Sequence, residues 1–442
     1  MRILGKKSLS SVVKVFVDVA YYMAILVMIA LIVAVVAVYF WNPKHVSQEI
    51  PIAFDLDPST YHISSDSWKL EEAHISQATG KLRLVGLGFR ETVLPTGLVF
   101  PALAIVLLVL NRLRAIFRTL RQGSPFVFEN ASRIRMIGLA LICFDLIKVI
   151  TASWTAHRLL DHLTTAGITI RPGFDSGFVA SFAGILLIII AEVFRQGSVM
   201  KRDIETAREI QFELVPDPHF EEGDIRIYSH MRPANTVGGD YYDLIPLAPG
   251  RVAVVIGDVS GKGMPAALLM SLLQGSLKTL LSAGFRGVDL IAKLNTSLCR
   301  NTPGNRMVTM FYSELDTQTG EMLYVNAGHN APFLMRAGGG TERLHATGTV
   351  LGLLEGMQFE SGSLALHDGD SVLLFTDGIP EAFNAREEEF GETRLLAALQ
   401  RPPVPDPRAF VENLVTEVTR FCYPALPTDD MTLMLLMKKS AG

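Results

Sequence analysis

From Val19 to Phe40 almost every residue is apolar, and a run of about 20 such residues has few structural options. In lipid each backbone N–H and C=O must be satisfied within the protein, so a single run becomes a helix. The basic start (Arg2, Lys6, Lys7, Lys14) would also suit a signal peptide. The run outlasts a typical signal core, however, and no small-residue cleavage site follows at Trp41-Asn42-Pro43. The reading is a transmembrane helix with Tyr39, Phe40 and Trp41 at the interface.

Three further runs repeat the signal, and the expected spans are about 19–40, 96–112, 137–156 and 178–194. Residues 42–95 between the first two are polar, with strand-like patches such as Lys81 to Val85, and read as a small external segment. It either senses something or merely connects helices, and its small core favours the connector. Arg112, Arg114, Arg118, Arg121, Arg133 and Arg135 separate the second and third spans. Arginine excess marks the cytoplasmic side, so four spans put both ends inside. Asp145 and Lys148 interrupt the third span on one helix face and read as a structural ion pair rather than a transport path. Residues 1–198 are therefore expected to be an all-α membrane domain. The stretch Gly123-Ser124-Pro125-Phe126 followed by Asn130, Arg133 to Arg135 and Ile137-Gly138 resembles a bacterial four-helix membrane domain of unknown function.

Residues 199–216 form a linker: Ile204, Ala207, Ile210 and Leu214 recur at helical spacing until Pro216 and Pro218 stop them. It is either a passive spacer or a coiled coil through which two copies pair; about two heptads need help from neighbours. Beyond it, residues 217–442 have the texture of a compact α+β domain, a sheet sandwich flanked by helices. Strands are expected near 225–230, 242–246, 252–256, 308–315, 322–326, 332–335, 371–375 and 433–437. Helices are expected near 265–283, 288–302, 391–398 and 407–422.

The total charge is −4, with the basic excess in the first half and the acidic excess in the second. An acidic domain argues against nucleic acid as partner. Cys143, Cys299 and Cys422 are scattered and show neither disulfide nor zinc spacing. The acidic half instead places aspartates at the ends of apolar strands: Gly238-Gly239-Asp240, Asp258-Val259-Ser260-Gly261-Lys262-Gly263, Thr376-Asp377-Gly378 and Thr428-Asp429-Asp430. Asp-Gly at a strand end is common turn chemistry. Four such sites from distant parts of a chain are also what two hard divalent cations need, since these ions prefer oxygen ligands and a few carboxylates.

These motifs, with Ala207 to Gln211 before them, Asn326 to Pro332 and Gly352-Leu353, resemble the SpoIIE/RsbU branch of the metal-dependent PPM (protein phosphatase 2C-like) serine/threonine phosphatases. The resemblance runs from about residue 200 onward and keeps motif order. It implies a β-sandwich holding two Mn²⁺ or Mg²⁺ ions. By that resemblance Asp240, Asp258 (bridging), the backbone carbonyl of Val259, Asp377 and Asp429 hold the metals. Asp430 either joins them or orients its neighbour. Eukaryotic members have a histidine where Ser260 stands and an arginine near the position of Asn235; Arg232 lies further off. Phosphate binding is then expected from Lys262 with Gly261 and Gly263, although Lys262 also reads as an ordinary solvated lysine. Asp243, His329 and Asn330 are expected to support the site from behind.

The implied function is removal of phosphate from phosphoserine or phosphothreonine on a regulatory protein, by resemblance a STAS-type anti-sigma-factor antagonist. The implied setting is a bacterial inner membrane, with the catalytic domain in the cytoplasm and homodimers through the linker. The alternative is a degenerate PPM fold that senses a ligand and catalyses nothing.

Overall fold

The computed structural model describes residues 9–41, 47–56, 78–85, 99–160, 168–172, 177–302, 306–400, 406–425 and 428–439. The chain divides into two compact units, Met1–Lys201 and Arg202–Gly442.

The first unit is built on long apolar helices: α1 (Leu9–Trp41), α2 (Val99–Arg121), α3 (Phe128–Leu160) and the start of α4 (Val179–Leu214). Each of these four is long and apolar enough to cross a membrane by length and composition. Gly138 of α3 and Gly184 of α4 let two backbones meet: a Cβ on either would lie 2.5 Å from the other's carbonyl oxygen. Small residues at such crossings are a common membrane-helix device. The tight α2–α3 connection is closed by buried Asn130, whose amide donates to the Thr119 hydroxyl (2.7 Å) and the Pro125 carbonyl (3.0 Å). On α1, Asp18 accepts from Lys14 (2.8 Å) and from Arg114 of α2 (2.6 Å).

Three findings in this unit go beyond the sequence reading. Asp145 is buried but not paired with Lys148; its carboxylate accepts the Ser181 backbone N–H at the start of α4 (2.6 Å). That amide is one of the four a helix N-terminus leaves without an internal partner, so the acid closes a helix end instead of an ion pair. The helical plan also carries an addition, a three-stranded antiparallel sheet. Its order is β2 (Ala78–Val85), β1 (Ser47–Leu56), β3 (Ile168–Pro172). Finally, α4 runs unbroken for 36 residues from the fourth apolar run through the linker stretch, and the glycine at 197 does not end it.

The second unit stacks two antiparallel sheets between helical layers. The smaller sheet, in spatial order, is β12 (Gly362–Ala365), β9 (Glu321–Ala327), β8 (Val308–Asp316), β7 (Arg251–Val259) and β6 (Tyr241–Ala248). The larger runs β11 (Thr341–Arg343), β10 (Phe333–Met335), β13 (Ser371–Phe375), β14 (Met431–Lys438), β5 (Ile225–Arg232) and β4 (His219–Glu222). Strand side chains alternate faces, and both faces here are covered. On β7, Val252, Val254 and Ile256 enter the core between the sheets. Ala253, Val255 and Val259 instead pack on α5 (Met264–Ser282) and α6 (Gly287–Asn301). The larger sheet turns Leu373, Leu433 and Leu435 to α7 (Gly391–Leu399) and α8 (Pro407–Cys422). Helix α5 also meets the membrane-span criterion. Its Met270, Leu273, Leu277 and Leu281 are buried in the domain core, which accounts for its apolarity.

Candidate metal centre

All four acidic motifs end at one place because glycines let their backbones close in. A Cβ on Gly378 would overlap the Asp430 carbonyl, and one on Gly238 would overlap the Asp430 carboxylate. A Cβ on Gly239 would lie 2.6 Å from the Val259 carbonyl. The Gly-Gly-Asp loop, the β7 end, the β13 end and the β14 start are thus mutually wedged. Asp240, Asp258, Asp377, Asp429 and Asp430 follow from that wedge.

Asp240 is buried, and its Oδ2 accepts from the Thr376 hydroxyl (2.8 Å) and the Thr432 hydroxyl (2.6 Å). Burial, and then the charge of Asp258, hold its carboxyl well above the usual range. Asp258 is pushed up to about 7 by burial first, then by Asp377, Asp429 and Asp430. Asp377 is raised by burial and by Asp429. Acids that raise one another's pKa are like charges forced together in a poor dielectric. Each acid here perturbs another, so they share one small volume.

Asp430 braces the wedge: Oδ1 accepts the Ala234 amide and Oδ2 the Gly239 amide, both at 2.7 Å. Asp429 is turned to Lys262, whose ammonium lies 2.8 Å from Oδ2 and also donates to the Thr428 carbonyl (2.8 Å). That bond to Asp429 chiefly raises the Lys262 pKa. Lys262 is therefore bound to the acids as a counter-charge, on the rim where Gly261 and Gly263 leave the turn open. Among the described residues no three His, Cys, Asp or Glu side chains already cage a common point. The donors still fit hard cations: oxygen only, clustered, net negative, and relieved by positive charge.

The residues expected behind the site take different places. His329 is buried, its Nδ1 is 2.9 Å from the Thr309 hydroxyl, and its amide donates to Asn326 Oδ1 (2.8 Å). Burial takes its pKa down to about 4, outweighing the pull of the Phe375 carbonyl. Thr309 is the partner of Asp258 across β7 and β8, so the imidazole supports that strand end as a neutral group. Asn330 lies half-buried in the following turn. Asp243 faces α5 instead: its Oδ2 accepts from Tyr241 (2.7 Å) and Gln274 (3.3 Å) and is 2.9 Å from the Lys278 ammonium. It does not join the acidic cluster.

One contributor was invisible to spacing. Gln211, near the end of α4, holds the Gly-Gly-Asp loop with both ends of its amide. It donates to the Gly238 carbonyl (2.7 Å) and accepts the Gly238 N–H (3.2 Å). It is buried, while Ile210 beside it is exposed. The linker's apolar stripe thus misidentified the face that matters. A polar residue next to a stripe gives no signal by itself.

Residues 248–439 match the SpoIIE family (Stage II sporulation protein E). Upstream, residues 88–207 match a protein family of unknown function, DUF2975. The chain is similar to Protein IcfG of Synechocystis sp., at 28% identity over 48% of this chain and 37% of that protein. It is also similar to the phosphoserine phosphatases RsbU and RsbP of Bacillus subtilis. The first is 28% identical over 54% of this chain and 71% of RsbU; the second is 32% identical over 40% and 45%. The chain thus spans little more than a third of IcfG and less than half of RsbP. Asp240 precedes the matched SpoIIE segment, and Asp258, Asp377 and Asp429 lie within it.

Proposed function

We propose that this protein is a membrane-anchored, metal-dependent phosphatase acting on phosphoserine or phosphothreonine of a regulatory protein. The observation that carries the reading is the mutual repulsion of Asp240, Asp258 and Asp377 with Asp429 beside them, in a domain that matches the SpoIIE family. Asp240, Asp258, the Val259 carbonyl, Asp377 and Asp429 would hold two Mn²⁺ or Mg²⁺ ions. Bound there, such ions would make a water acidic enough to act as nucleophile near neutral pH and polarise the phosphoryl oxygens. The chain's own residues supply position. Thr376 and Thr432 aim the Asp240 carboxylate, Asp430 and Gln211 fix the loop that carries it, and neutral His329 supports the Asp258 strand. Lys262, with Gly261 and Gly263, would balance the negative charge of an incoming phosphate at the rim.

The substrate by this reading is a STAS-type anti-sigma-factor antagonist; the similarity to the phosphoserine phosphatases RsbU and RsbP supports a phosphoserine substrate. The protein would sit in a bacterial inner membrane with its catalytic domain in the cytoplasm, possible pairing of copies running through α4. Spans at about 19–40, 96–112, 137–156 and 178–194 would divide the chain into a membrane region (1–198), a linker (199–216) and a phosphatase domain (217–442). Pairing of β1 with both β2 and β3 supports the topology, because four crossings put 42–95 and the loop after α3 on one side.

A second reading, a metal-poor sensor of the same fold, draws on the Lys262–Asp429 pair and the absence of a ready ion cage among the described residues. Turnover separates the two. The full chain in detergent should release phosphate from a phosphoserine protein with Mn²⁺ or Mg²⁺ only, and Asp258→Asn or Asp377→Asn should reduce this by at least about a thousandfold. Equal turnover after chelation would remove the metal site from the reaction, and no turnover with either ion would favour the sensor.

A further inference from the structure

Among the described residues, Arg306 has a side chain without a hydrogen-bond or ion-pair partner. Arg306 precedes β8, and its guanidinium Nη1 lies 3.7 Å from where a Cβ on Gly261 would be, three residues beyond Asp258. It is half-buried and forms no hydrogen bond or ion pair with any described residue. Several other arginines of the domain are paired with acids. Arg300 is paired with Glu355 (3.0 Å), Arg336 with Asp370 (2.9 Å) and Arg408 with Glu412 (2.8 Å). Lys262, the other cation beside Gly261, is already bound to Asp429.

The backbone under Arg306 is also fixed. Ser260 N–H donates to the Met307 carbonyl and the Met307 N–H to Ser260 Oγ, both at 2.9 Å. On the other side Val308 and Leu351 exchange backbone hydrogen bonds at 3.0 and 2.8 Å. Ser260 thus has a structural task in this chain: it ties the turn after Asp258 to the residues that carry Arg306. An arginine whose next two residues are hydrogen-bonded in place, set against the turn that follows Asp258 and bonded to no acid, is arranged to receive an external anion.

We propose that Arg306 is the residue that grips the phosphoryl group of the substrate, a task to which the uncharged side chain of Asn235 is not suited. The assignment rests on the phosphatase reading of the same site. A guanidinium offers two parallel N–H groups to a phosphate and stays charged at every working pH, whereas a lysine is a point charge. Glycine at 261, with φ +107, leaves the space in front of the guanidinium free of a side chain.

The test uses the full chain in detergent with saturating Mn²⁺. It measures KM and kcat for p-nitrophenyl phosphate and for a phosphoserine peptide, and the inhibition constant of inorganic phosphate. Arg306→Ala should raise the phosphate inhibition constant and both KM values about 10- to 100-fold, the effect of losing charge-assisted hydrogen bonds. Arg306→Lys should recover only part of that. Arg300→Ala, which removes the same charge from an exposed ion pair, should stay within about twofold. A phosphate constant within twofold of wild type in both Arg306 variants, each melting at the wild-type temperature, overturns the assignment while leaving the phosphatase intact. A loss confined to the peptide also overturns it, since the arginine would then be reading a neighbouring carboxylate. If the wild-type protein turns over nothing, the phosphatase reading fails separately. Equilibrium binding of inorganic phosphate to wild type and to Arg306→Lys then decides Arg306 by the same ratio.

Discussion

Asp258 is crowded by like charge, with burial and three neighbouring acids pushing its carboxyl up to about 7 from an ordinary 3.8. A carboxyl whose pKa is higher folded than unfolded carries an extra proton in the folded state between those two values. Folded-state stability is then lost as pH rises through that window, here from about pH 4 to about pH 7. In chelator, wild type should melt lower at pH 8 than at pH 5. Asp258→Asn should raise the melting temperature at pH 8 and shrink the difference between the two. Mn²⁺ should restore wild type at pH 8 and add little to the variant. A chelated Asp258→Asn protein less stable than wild type at pH 8 would show that the carboxylate is at ease there. The aspartates themselves were legible because each sits at one end of an apolar strand-like run, Asp258 and Asp377 after it and Asp240, Asp429 and Asp430 before it. What surrounds them was not. Gln211 reaches Gly238 across 27 residues, and Thr376 and Thr432 reach Asp240 across 136 and 192. No local pattern carries a hydrogen bond over such distances.

At the level of elements, periodicity located the strands and helices wherever a core enforces it. The hairpin at Asp316–Gly320 was readable because Asp316 accepts the Gln318 and Thr319 amides (3.0 and 2.9 Å) and Gly320 takes φ +80. Helix α8 begins as its Asp406-Pro407 start suggests, with the Asp406 carboxylate accepting the Arg408 amide. β4, β11 and β12 escaped notice: each has only three or four residues, none of them buried. The close contacts between elements give a sharp prediction. Gly378→Ala must displace the Asp430 backbone and should cost about 1–3 kcal/mol, as overpacking does. Gly275→Ala in α5, with nothing within 4 Å, should be neutral or stabilise by about 0.5–1 kcal/mol. Urea unfolding in chelator measures both. Equal effects would mean that the wedge between β13 and β14 yields easily.

On the scale of the whole chain, the apolar runs foretold the long helices but not the sheet formed by β1, β2 and β3, because segments flanking different helices pair only in three dimensions. That pairing has a checkable corollary for a four-span protein. Single cysteines replacing Thr79 and Thr169, in a background lacking Cys143, Cys299 and Cys422, should react with a membrane-impermeant maleimide added to intact spheroplasts. Cysteines at Gly123 and Lys201 should react only after lysis. Labelling of 79 and 169 from opposite sides would exclude the topology.

β14 is a central strand of the larger sheet, bonded to β13 on one side and β5 on the other, yet among the described strands it comes last in chain order. Asp429 and Asp430 stand immediately before it. During synthesis, then, the long apolar helices and every other described strand leave the ribosome before the acidic site can assemble. If that site is the phosphatase centre proposed above, a nascent chain stays silent until this strand has emerged.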